Sequence, residues 1–443
     1  MRQLFGTDGV RGRAGDYPLD KPTTFALGLA LARWIGTNHL DPEVVIGMDT
    51  RESGPWIAEQ VAGGLAQGGV RALSAGLITT PGLAHIARTG HFAAGVMISA
   101  SHNPFHDNGI KIFDHSGFKL PDEQEQILEK YIFEWAESGA VATPATVEVD
   151  KSLDEAYIEH LAETLPGGLK GLSIVIDPGH GAATYLAPTL FERLGATVIL
   201  INNQPDGKNI NLNCGSQHLE SLRKKVMETG ANLGVAFDGD ADRSMFVSHT
   251  GKTIDGDGVL LIIGTWLKQH RGLTEVIATV MSNLGLERAL AARGIGMVRT
   301  SVGDKYVLEE MIKRQALLGG EQSGHIILRE LATTGDGLLT ALRVCEVMRE
   351  SGQDLDALTK DLEIYPQLLV NVKVKTRRPL EDLKTVNEEI ALTQTEFGDA
   401  GRVLVRFSGT EPLARVMVEG PKLDRVEHFA NSIAAAIKAE LSD

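Results

Sequence analysis

The stretch Leu233-Gly-Val-Ala-Phe237, followed at once by Asp238-Gly-Asp-Ala-Asp242-Arg243, indicates the fold class of this 443-residue chain. Five successive residues without a polar side chain are typical of a strand buried on both faces of a parallel sheet. Carboxylates two residues apart point the same way on extended backbone, so three of them converge beyond the strand. Ligands of α/β proteins bind at the carboxyl ends of such strands. The stretch therefore predicts an α/β domain with an acidic site at one sheet edge.

The three aspartates, Asp238, Asp240 and Asp242, are candidate metal ligands. Hard oxygen ligands with no His or Cys beside them favour Mg²⁺ or another hard divalent cation. The alternative is a simple Asp-rich turn, although three like charges are costly to cluster without a cation. An EF-hand calcium loop is excluded, because its sixth position is Arg243 instead of Gly and its twelfth is His249 instead of Glu.

Short apolar strands and helices alternate on both sides of this stretch, for example at the strand candidates Ala94 to Ile98 and Leu172 to Ile176. This alternation favours mainly parallel sheets with helices on both faces. The tail differs, because two closely spaced strands precede a final amphipathic helix, Asp424 to Leu441. We expect three sequential α/β domains with mixed, mainly parallel sheets and a smaller C-terminal α+β domain. The expected boundaries are 1–150, 151–251, 252–365 and 366–443.

Composition narrows the class of protein. The formal net charge of -15 argues against a general nucleic-acid binder, which needs a basic face. Two cysteines, Cys214 and Cys345, without a C-x-x-C pair fit a reducing compartment. The amino terminus lacks a signal-peptide core, and the most apolar stretch, Gly258 to Leu267, is about half a membrane span. The sequence predicts a soluble, cytoplasmic protein without a membrane partner, and it leaves the oligomeric state open.

A second motif, Ser99-Ala-Ser-His-Asn-Pro-Phe-His-Asp-Asn-Gly-Ile-Lys111, also follows an apolar strand. Ser101 is a candidate nucleophile, and Lys111 or His102 could carry its proton or neutralise phosphate charge. The alternative is a loop whose serines only bond to backbone. No Gly-x-Ser-x-Gly elbow occurs, so acyl-transfer hydrolysis is not supported.

Three further segments carry groups that suit a sugar phosphate. In the tail, Arg406-Phe-Ser-Gly-Thr-Glu-Pro-Leu-Ala-Arg415 offers two guanidinium forks and a glycine turn, and a plain hairpin is the alternative. The hydroxyls and the turn residue of this loop are Ser408, Thr410 and Gly409. The segment Gly319-Gly-Glu-Gln-Ser-Gly-His325 alternates Glu321, Ser323 and His325, which could face sugar hydroxyls. The opening Gly6-Thr-Asp-Gly-Val-Arg-Gly12 places Arg11 beside a turn that could instead be only structural.

Together, in their order along the sequence, the five segments resemble the α-D-phosphohexomutase superfamily across nearly the whole chain. Phe5-Gly-Thr-Asp-Gly-Val-Arg-Gly12, Gly320-Glu-Gln-Ser-Gly-His325 and Arg415-Val-Met-Val-Glu-Gly420 are similar to its amino-sugar branch. The resemblance implies an isomerase that interconverts glucosamine 6-phosphate and glucosamine 1-phosphate through a phosphoserine and a 1,6-bisphosphate. Its product would feed amino-sugar nucleotide and cell-wall precursor synthesis.

The resemblance also assigns roles to residues of this sequence. It implies that Ser101 is the phosphoserine and that one Mg²⁺ is held by its phosphate oxygen and by Asp238, Asp240 and Asp242. Acid/base or phosphoryl-contacting roles fall on Lys111, His102, Arg11 and His325. Substrate-binding roles fall on Arg243, Glu321, Ser323, Arg406, Ser408, Gly409, Thr410 and Arg415.

Three alternatives stay open at this point. A preference for glucose or mannose phosphates would keep the same chemistry. A haloacid-dehalogenase-type phosphatase would use Asp238 as nucleophile, although that family has Thr or Val where this chain has Asp242. A non-catalytic sensor would bind the sugar phosphate without isomerising it.

Overall fold

Four β-sheets organise the part of the chain that the computed structural model describes, which is residues 4–6, 8–137, 141–376, 378–407 and 412–441. The chain divides into two units: Met1–Val280 with Met297–Thr359, and Met281–Gly296 with Lys360–Asp443. In the described ranges, no helix combines the length and the apolar character that crossing a membrane requires.

The first sheet has seven strands in the order β1-β2-β6-β5-β3-β4-β7. Its strands are β1 Phe5–Gly6, β2 Gly9–Arg13, β3 Glu43–Met48, β4 Arg71–Leu77, β5 Ala94–Ile98, β6 Asp107–Asp114 and β7 Glu148–Val149. Strands β5, β3, β4 and β7 run parallel, whereas β6 and β2 add antiparallel pairs at the other side. The accompanying helices are α1 Lys21–Thr37, α2 Gly54–Gln67, α3 Thr80–Thr89 and α4 Asp122–Glu137.

The second sheet has five strands in the order β12-β11-β10-β8-β9. Its elements are helix α5 Ser152–Glu163, strand β8 Ser173–Asp177, helix α6 Ala183–Arg193, strand β9 Thr197–Leu200, helix α7 Glu220–Thr229, and strands β10 Leu233–Phe237, β11 Ser244–Ser248 and β12 Thr253–Ile254. Strands β9, β8 and β10 are parallel, and β11 turns back antiparallel to β10. The reversal between β10 and β11 creates the acidic loop.

The third sheet has four strands in the order β14-β13-β15-β16. This part of the chain contains helix α8 Gly256–Arg271, strand β13 Glu275–Thr279, helix α9 Leu284–Ala291, strand β14 Gly296–Thr300, helix α10 Asp304–Arg314, strands β15 Leu318–Gly320 and β16 Ile326–Leu328, and helices α11 Gly337–Ser351 and α12 Leu355–Leu358. Helix α9 belongs to the second unit although it lies between strands of this sheet in the sequence.

The fourth sheet is antiparallel, with the strand order β17-β19-β18. Its elements are strand β17 Gln367–Lys373, helix α13 Lys384–Phe397, strands β18 Arg402–Phe407 and β19 Leu413–Glu419, and helix α14 Leu423–Leu441. Val416 and Val418 of β19 form one core with Ile433 and Ile437 of α14. The predicted fold class is therefore confirmed: three α/β domains are followed by a smaller α+β domain.

Local sequence explains where the helices next to the site begin. Proline occupies the first turn of α1, α2 and α3, where its missing N–H costs no hydrogen bond. Thr79 caps α3 by accepting from the Gly82 amide at 3.1 Å, and Asp336 caps α11 by accepting from the Leu339 amide at 2.9 Å. Strands β5 and β10 are buried along their whole length, so only their carboxyl-end loops can carry exposed chemistry.

Candidate active site

Ser101 lies in the loop after β5, with its backbone in the left-handed region at a φ of +52°. For a residue with a Cβ atom this conformation costs about 1–2 kcal/mol, so the surroundings must impose it. The Ser101 amide donates to Ser99 Oγ at 3.0 Å, and Ser99 Oγ donates to Asp49 Oδ2 at 2.5 Å. The buried Ser101 hydroxyl is thus held at a defined place above the sheet.

Two side chains hold the Ser101 carbonyl oxygen: one precedes Ser101 in the sequence and the other follows it. Arg51, which is fully buried, donates to the carbonyl oxygens of Ser101 at 3.1 Å and Asn103 at 2.6 Å. Asn211 donates to the same two oxygens at 2.9 and 3.3 Å. The charge of Arg51 is balanced by a buried ion pair with Asp49. This carbonyl clamp stabilises the strained loop in one conformation.

The loop after β10 brings the three aspartates to Ser101. One carboxylate oxygen from each of Asp238, Asp240 and Asp242 lies within 4.8 Å of the others, and all three residues are buried. The Ser101 hydroxyl donates to Asp238 Oδ2 at 2.5 Å. The residue that follows strand β5 and the residues that follow strand β10 therefore form a single site.

This acidic cluster fits a divalent cation. The buried oxygens Asp240 Oδ1 and Asp242 Oδ1 have no hydrogen-bond partner among the described residues. A buried acceptor without a partner costs about 1–3 kcal/mol, and more when it is charged. A hard cation bound by carboxylate oxygens would satisfy both atoms. The triad can therefore hold a metal, and its oxygen-only donor set excludes a preference for soft ions.

Lys111 of β6 offsets part of this negative charge. Its Nζ atom lies 2.9 Å from Asp240 Oδ2 and 3.6 Å from Asp242 Oδ2, and it is buried. Burial alone would lower the pKa of Lys111, but the surrounding carboxylates raise it, so the ammonium stays charged. Thr80, at the start of α3, donates to Asp240 Oδ2 at 2.5 Å. Asp240 is thus fixed from two sides.

The carboxylates differ in how readily they ionise. Burial, and then the charges of Asp242 and Asp240, raise the pKa of Asp238 well above its usual range. Burial acts in the same sense on Asp242, but Lys111 and His325 hold the pKa of Asp242 well below its usual range. A bound cation would favour the ionised form of all three, since it removes their mutual repulsion.

His102 lies directly beside Ser101. Its Nδ1 atom is 3.3 Å from Ser101 Oγ and 3.2 Å from Arg243 Nη1, so it accepts from the guanidinium. Burial, and then the charges of Arg243 and Arg11, lower the pKa of His102 to about 4. His102 is therefore neutral at pH 7, and its Nδ1 lone pair faces both Arg243 and Ser101.

A cleft of about 250 Å³ opens from the triad toward α10. Its lining includes the predicted residues Arg11, Arg243, Glu321 and His325. Glu321 is fixed because its Oε1 atom accepts from the Gly303 amide at 3.1 Å. Cationic and anionic groups face each other across this cleft, which suits a ligand that carries both phosphate and hydroxyl groups.

The structure changes the expected geometry of the segment from Gly319 to His325. Residues 321–325 form a turn between β15 and β16 instead of an extended run, so alternate side chains do not share a face. Glu321 and His325 are buried and line the cleft, whereas Ser323 is exposed and is not among the lining residues. His325 Nε2 accepts from the Gly335 amide at 3.0 Å, which places the ring proton on Nδ1, 3.7 Å from Asp242 Oδ2.

The second unit contains the predicted phosphate-gripping arginines. Arg406 of β18 and Arg415 of β19 lie directly opposite each other in the antiparallel register, and both are half-buried. Burial, and then the charge of Arg415, lower the pKa of Arg406. Like charges at paired positions are destabilising unless an anion lies between them. The predicted partners Ser408, Gly409 and Thr410 lie outside the described residues.

Family models match most of the chain. Three models described as phosphoglucomutase/phosphomannomutase α/β/α domains match residues 2–139 (domain I), 155–251 (domain II) and 255–365 (domain III). A fourth, the C-terminal domain of the same group, matches residues 369–436.

Curated relatives decide the branch. A phosphoglucosamine mutase of Solibacter usitatus is 56% identical over 444 residues, covering 100% of both chains. This chain belongs to the phosphoglucosamine mutase family. A phosphoglucosamine mutase of Thermoanaerobacter sp. is 46% identical over 449 residues, again covering 100% of both chains. The chain is thus an enzyme of the isomerase class, a phosphohexomutase.

Solved structures support the same fold. A phosphoglucomutase/phosphomannomutase family protein of Burkholderia thailandensis superposes with a TM-score of 0.82 at 24% identity, covering 99% of this chain and 98% of that one. An N-acetylphosphoglucosamine mutase of Aspergillus fumigatus, solved with GlcNAc-6P and magnesium, gives a TM-score of 0.70 at 17% identity, with coverages of 99% and 96%. At these identities the likeness concerns the fold of this phosphoglucosamine mutase family member.

Several residues of the site were not singled out from the sequence. Asp8 lies inside a quoted motif, and the charge of its side chain could have drawn attention to it. Arg51 and Asn211 contact the site from loops, and Thr80 contacts it from the first residue of α3, but the residues around them do not indicate these contacts. Asp304 follows a glycine at the start of α10, which is an ordinary position for a helix-starting acid.

Proposed function

We propose that this enzyme interconverts glucosamine 6-phosphate and glucosamine 1-phosphate, with phosphorylated Ser101 as the phosphoryl donor. The observation that carries the proposal is the hydrogen bond of 2.5 Å between the Ser101 hydroxyl and the buried aspartate cluster. The names of full-length relatives at 44–56% identity support the amino-sugar substrate. The product would be a precursor of amino-sugar nucleotides and of cell-wall material.

The proposed reaction consists of two phosphoryl transfers. In the first, the P–Oγ bond of phosphorylated Ser101 breaks, a P–O1 bond forms, the O1 hydroxyl proton passes to a base of the enzyme, and Ser101 Oγ takes up a proton. The resulting 1,6-bisphosphate then reorients. In the second transfer its P–O6 bond breaks, a P–Oγ bond forms as the Ser101 hydroxyl loses its proton, and O6 takes up a proton. Both steps require positioning and charge neutralisation more than new covalent chemistry.

We propose Mg²⁺ as the metal, with Asp238, Asp240, Asp242 and a phosphate oxygen of Ser101 as its ligands. The oxygen-only donor set and the two buried oxygens without hydrogen-bond partners support a hard cation. When bound, such a cation offsets the negative charge on the transferring phosphoryl group. The magnesium in the Aspergillus fumigatus structure is consistent with this choice.

The proton-handling roles fall on residues within reach of Ser101 and the cleft. Neutral His102 lies 3.3 Å from Ser101 Oγ, and charged Lys111 lies between the carboxylates. His325 and Arg11 line the cleft where the sugar would bind. Glu321 and Arg243 would contact the sugar and its phosphate, and Arg406 and Arg415 would grip the phosphate that is not reacting.

The alternative with Asp238 as a phosphatase nucleophile has little support. Asp238 is fully buried, its Oδ1 atom accepts from the Arg243 amide at 3.1 Å, and its Oδ2 atom accepts from Ser101. An attacking carboxylate needs an oxygen open to the substrate. A sensor without catalysis would need no hydroxyl placed at an acidic cluster.

Further parts of the proposal concern the setting of the enzyme. The ligand is a small sugar phosphate, and the net charge of -15 disfavours nucleic acid as a partner. Two free, buried cysteines fit a cytoplasmic location. We also retain 1–150, 151–251, 252–365 and 366–443 as the proposed domain boundaries.

Substrate choice can be tested directly with purified enzyme and Mg²⁺. We expect kcat/KM for glucosamine 6-phosphate to exceed the values for glucose 6-phosphate and mannose 6-phosphate by at least about tenfold, which corresponds to about 1.4 kcal/mol. A larger kcat/KM for glucose 6-phosphate would reject the amino-sugar assignment while keeping the phosphoserine chemistry. No isomerisation of any of the three would reject the proposed function.

A further inference from the structure

Lys119 belongs to none of the motifs above, yet it contacts Asp8 and Asp304, two carboxylates that line the cleft. It follows β6 in the short segment before α4, and its side chain is 23% exposed. Its ammonium group forms an ion pair with Asp8 and lies 2.6 Å from Asp304 Oδ2. One cation thus joins a residue near the amino terminus to the first residue of α10.

These contacts complete a ring of six side chains in which carboxylates alternate with nitrogen-bearing groups. In order, the ring consists of Lys111, Asp8, Lys119, Asp304, His325 and Asp242. Apart from the Lys119 pairs, the neighbouring nitrogen and oxygen atoms are 3.2 Å apart for Lys111 and Asp8, 3.9 Å for His325 Nε2 and Asp304, 3.7 Å for His325 Nδ1 and Asp242, and 3.6 Å for Lys111 and Asp242. Lys111 and His325, two of the candidate proton-handling residues, therefore belong to the same ring of contacts.

The backbone that carries Lys119 is well anchored. Lys119 forms an isolated bridge with Phe113, and the Leu120 amide donates to the Ile112 carbonyl at 3.0 Å. The carbonyl of Gly117 accepts from Thr333 Oγ1 at 2.6 Å. The side chain of Lys119 therefore starts from a fixed backbone position, and its two carboxylate partners hold the ammonium group in place.

Charge explains what Lys119 contributes. Burial alone would lower its pKa, but Asp304 and Asp8 raise it, so Lys119 is charged at neutral pH. The charge of Asp8 works against the ionised form of Asp304, which means that the two carboxylates repel each other. Lys119 lies between them and cancels this repulsion. Without it, two partly buried like charges would separate, and each would move relative to its other partner in the ring.

We propose that Lys119 is a positioning residue for phosphoryl transfer, which holds Asp8 against Lys111 and Asp304 beside His325. It acts through these carboxylates and does not need to touch the reacting atoms. The inference rests on the proposed function, because it assigns roles around the same Ser101 and aspartate cluster. Misplacing catalytic groups by about 1 Å can reduce the rate of an enzyme about 100-fold.

The test compares Lys119→Met, Lys119→Arg and Asp304→Asn with wild type by steady-state kinetics. Lys119→Met keeps most of the side-chain volume but removes the charge, and we expect kcat to fall about 10- to 100-fold with KM changed less than about threefold. Lys119→Arg restores a cation, and its side chain can extend into the open groove that Lys119 also lines. We expect it to recover kcat to within about fivefold of wild type.

A double-mutant comparison of Lys119 and Asp304 gives a second, independent test. Because both variants break the same ion pair, the double variant Lys119→Met with Asp304→Asn should lose no more than about threefold beyond the worse single variant. Fully multiplicative losses would overturn the proposal, as would a rise in KM with kcat unchanged, since that marks a direct substrate contact. If Lys119→Met does not fold, kcat of Lys119→Arg is compared with kcat of Asp304→Asn. A kcat near wild type in Lys119→Arg and a reduced kcat in Asp304→Asn would support the positioning role, whereas a wild-type kcat in Asp304→Asn would overturn it.

Lys130→Met on the exposed face of α4 is the matched control, and we expect it to leave kcat and KM unchanged. All variants are assayed with glucosamine, glucose and mannose 6-phosphates. If wild type prefers glucose or mannose phosphate, the substrate assignment fails, whereas the ratio of variant to wild-type kcat on that sugar still decides the role of Lys119. Wild-type kcat in Lys119→Met on the turned-over sugar would overturn the positioning role alone.

Discussion

Ser101 is positioned mainly through its backbone. Its left-handed conformation is maintained by the carbonyl clamp of Arg51 and Asn211, while its hydroxyl is left for Asp238 and His102. If the Ser101 hydroxyl proton were exchanged for a phosphoryl group, as proposed above, the backbone contacts that fix the residue would be kept. The strain in the loop is consistent with a site built for function.

The clamp makes a prediction for Asn211→Asp. This change keeps a residue that tolerates the positive φ of 59°, but it replaces the amide donor by an oxygen that repels the Ser101 and Asn103 carbonyls. We expect turnover to fall about tenfold or more and stability to fall by about 1–3 kcal/mol, measured by mutase assay and urea unfolding. Wild-type turnover in this variant would show that Arg51 alone suffices.

At the residue scale, the sequence predicts the residues at the centre of the candidate site better than the residues that hold them in place. Ser101 and the three aspartates can be proposed as one site because each follows a buried strand, and such loops meet at one sheet edge. Arg51, Asn211 and Lys119 act through backbone oxygens or through other side chains. Nothing in their neighbouring residues indicates those contacts, so only the folded structure identifies them.

Among the elements, helix α11 begins at an unusual cap. Asp336 is buried, accepts from the Leu339 amide, and also accepts from the hydroxyl of buried Tyr157 at 2.8 Å. Burial raises the pKa of Asp336 to about 6, although these hydrogen bonds act against the rise. The carboxyl group that caps helix α11 therefore titrates at mildly acidic pH.

The sign of the pH effect follows from linkage. A carboxyl group with a higher pKa in the folded state binds more protons there between pH about 4 and about 6. Its contribution to stability is therefore greatest below pH about 4 and is lost as the pH rises through 6. Asp336→Asn removes this titration while keeping a capping oxygen and an acceptor for Tyr157.

We expect the free energy of unfolding of wild type, minus that of Asp336→Asn, to decrease by about 2–3 kcal/mol between pH 4 and pH 7. Urea unfolding at pH 4, 5, 6 and 7 measures this difference. A difference that is constant over the whole range would contradict the raised pKa, because no proton would then be coupled to folding at this helix.

The sequence predicts the fully apolar strands accurately and the short irregular segments less well. The all-apolar strands Ala94–Ile98 and Leu233–Phe237 could be read from composition alone. Residues 321–325 were expected to be extended, but glycines on both sides allow a turn, and Gly324 adopts a φ of +92°. Alternation over five residues cannot distinguish a strand from a turn of this kind.

On the scale of the whole molecule, the first unit is joined by polar contacts between distant segments. The Thr80 amide donates to the Asp240 carbonyl at 2.9 Å, and Ser101 bonds to Asp238. The α/β order was predictable from the alternation of strands and helices. The membership of α9 in the second unit was not, because it depends on the Leu284 amide donating to Glu419 at 2.9 Å, 135 residues away.

A cation at the aspartate triad should stabilise this unit as a whole. Mg²⁺ at about 100 times its dissociation constant is expected to add about 2.7 kcal/mol, seen as an increase in Tm by calorimetry. Asp240→Asn should abolish the Mg²⁺-dependent increase. Asp356→Asn, in the more exposed group of His249, Asp354 and Asp356, is the matched control and should keep it. Loss of the increase only in the control would place the ion elsewhere.

The most direct test is phosphopeptide mapping of the purified enzyme, combined with turnover of glucosamine 6-phosphate by Ser101→Ala. We expect phosphate on the peptide that contains Ser101, none on that peptide in the variant, and a loss of turnover greater than about 10³-fold. Full turnover by Ser101→Ala, or phosphate only on another residue, would contradict the claim that this serine transfers the phosphoryl group beside the aspartates.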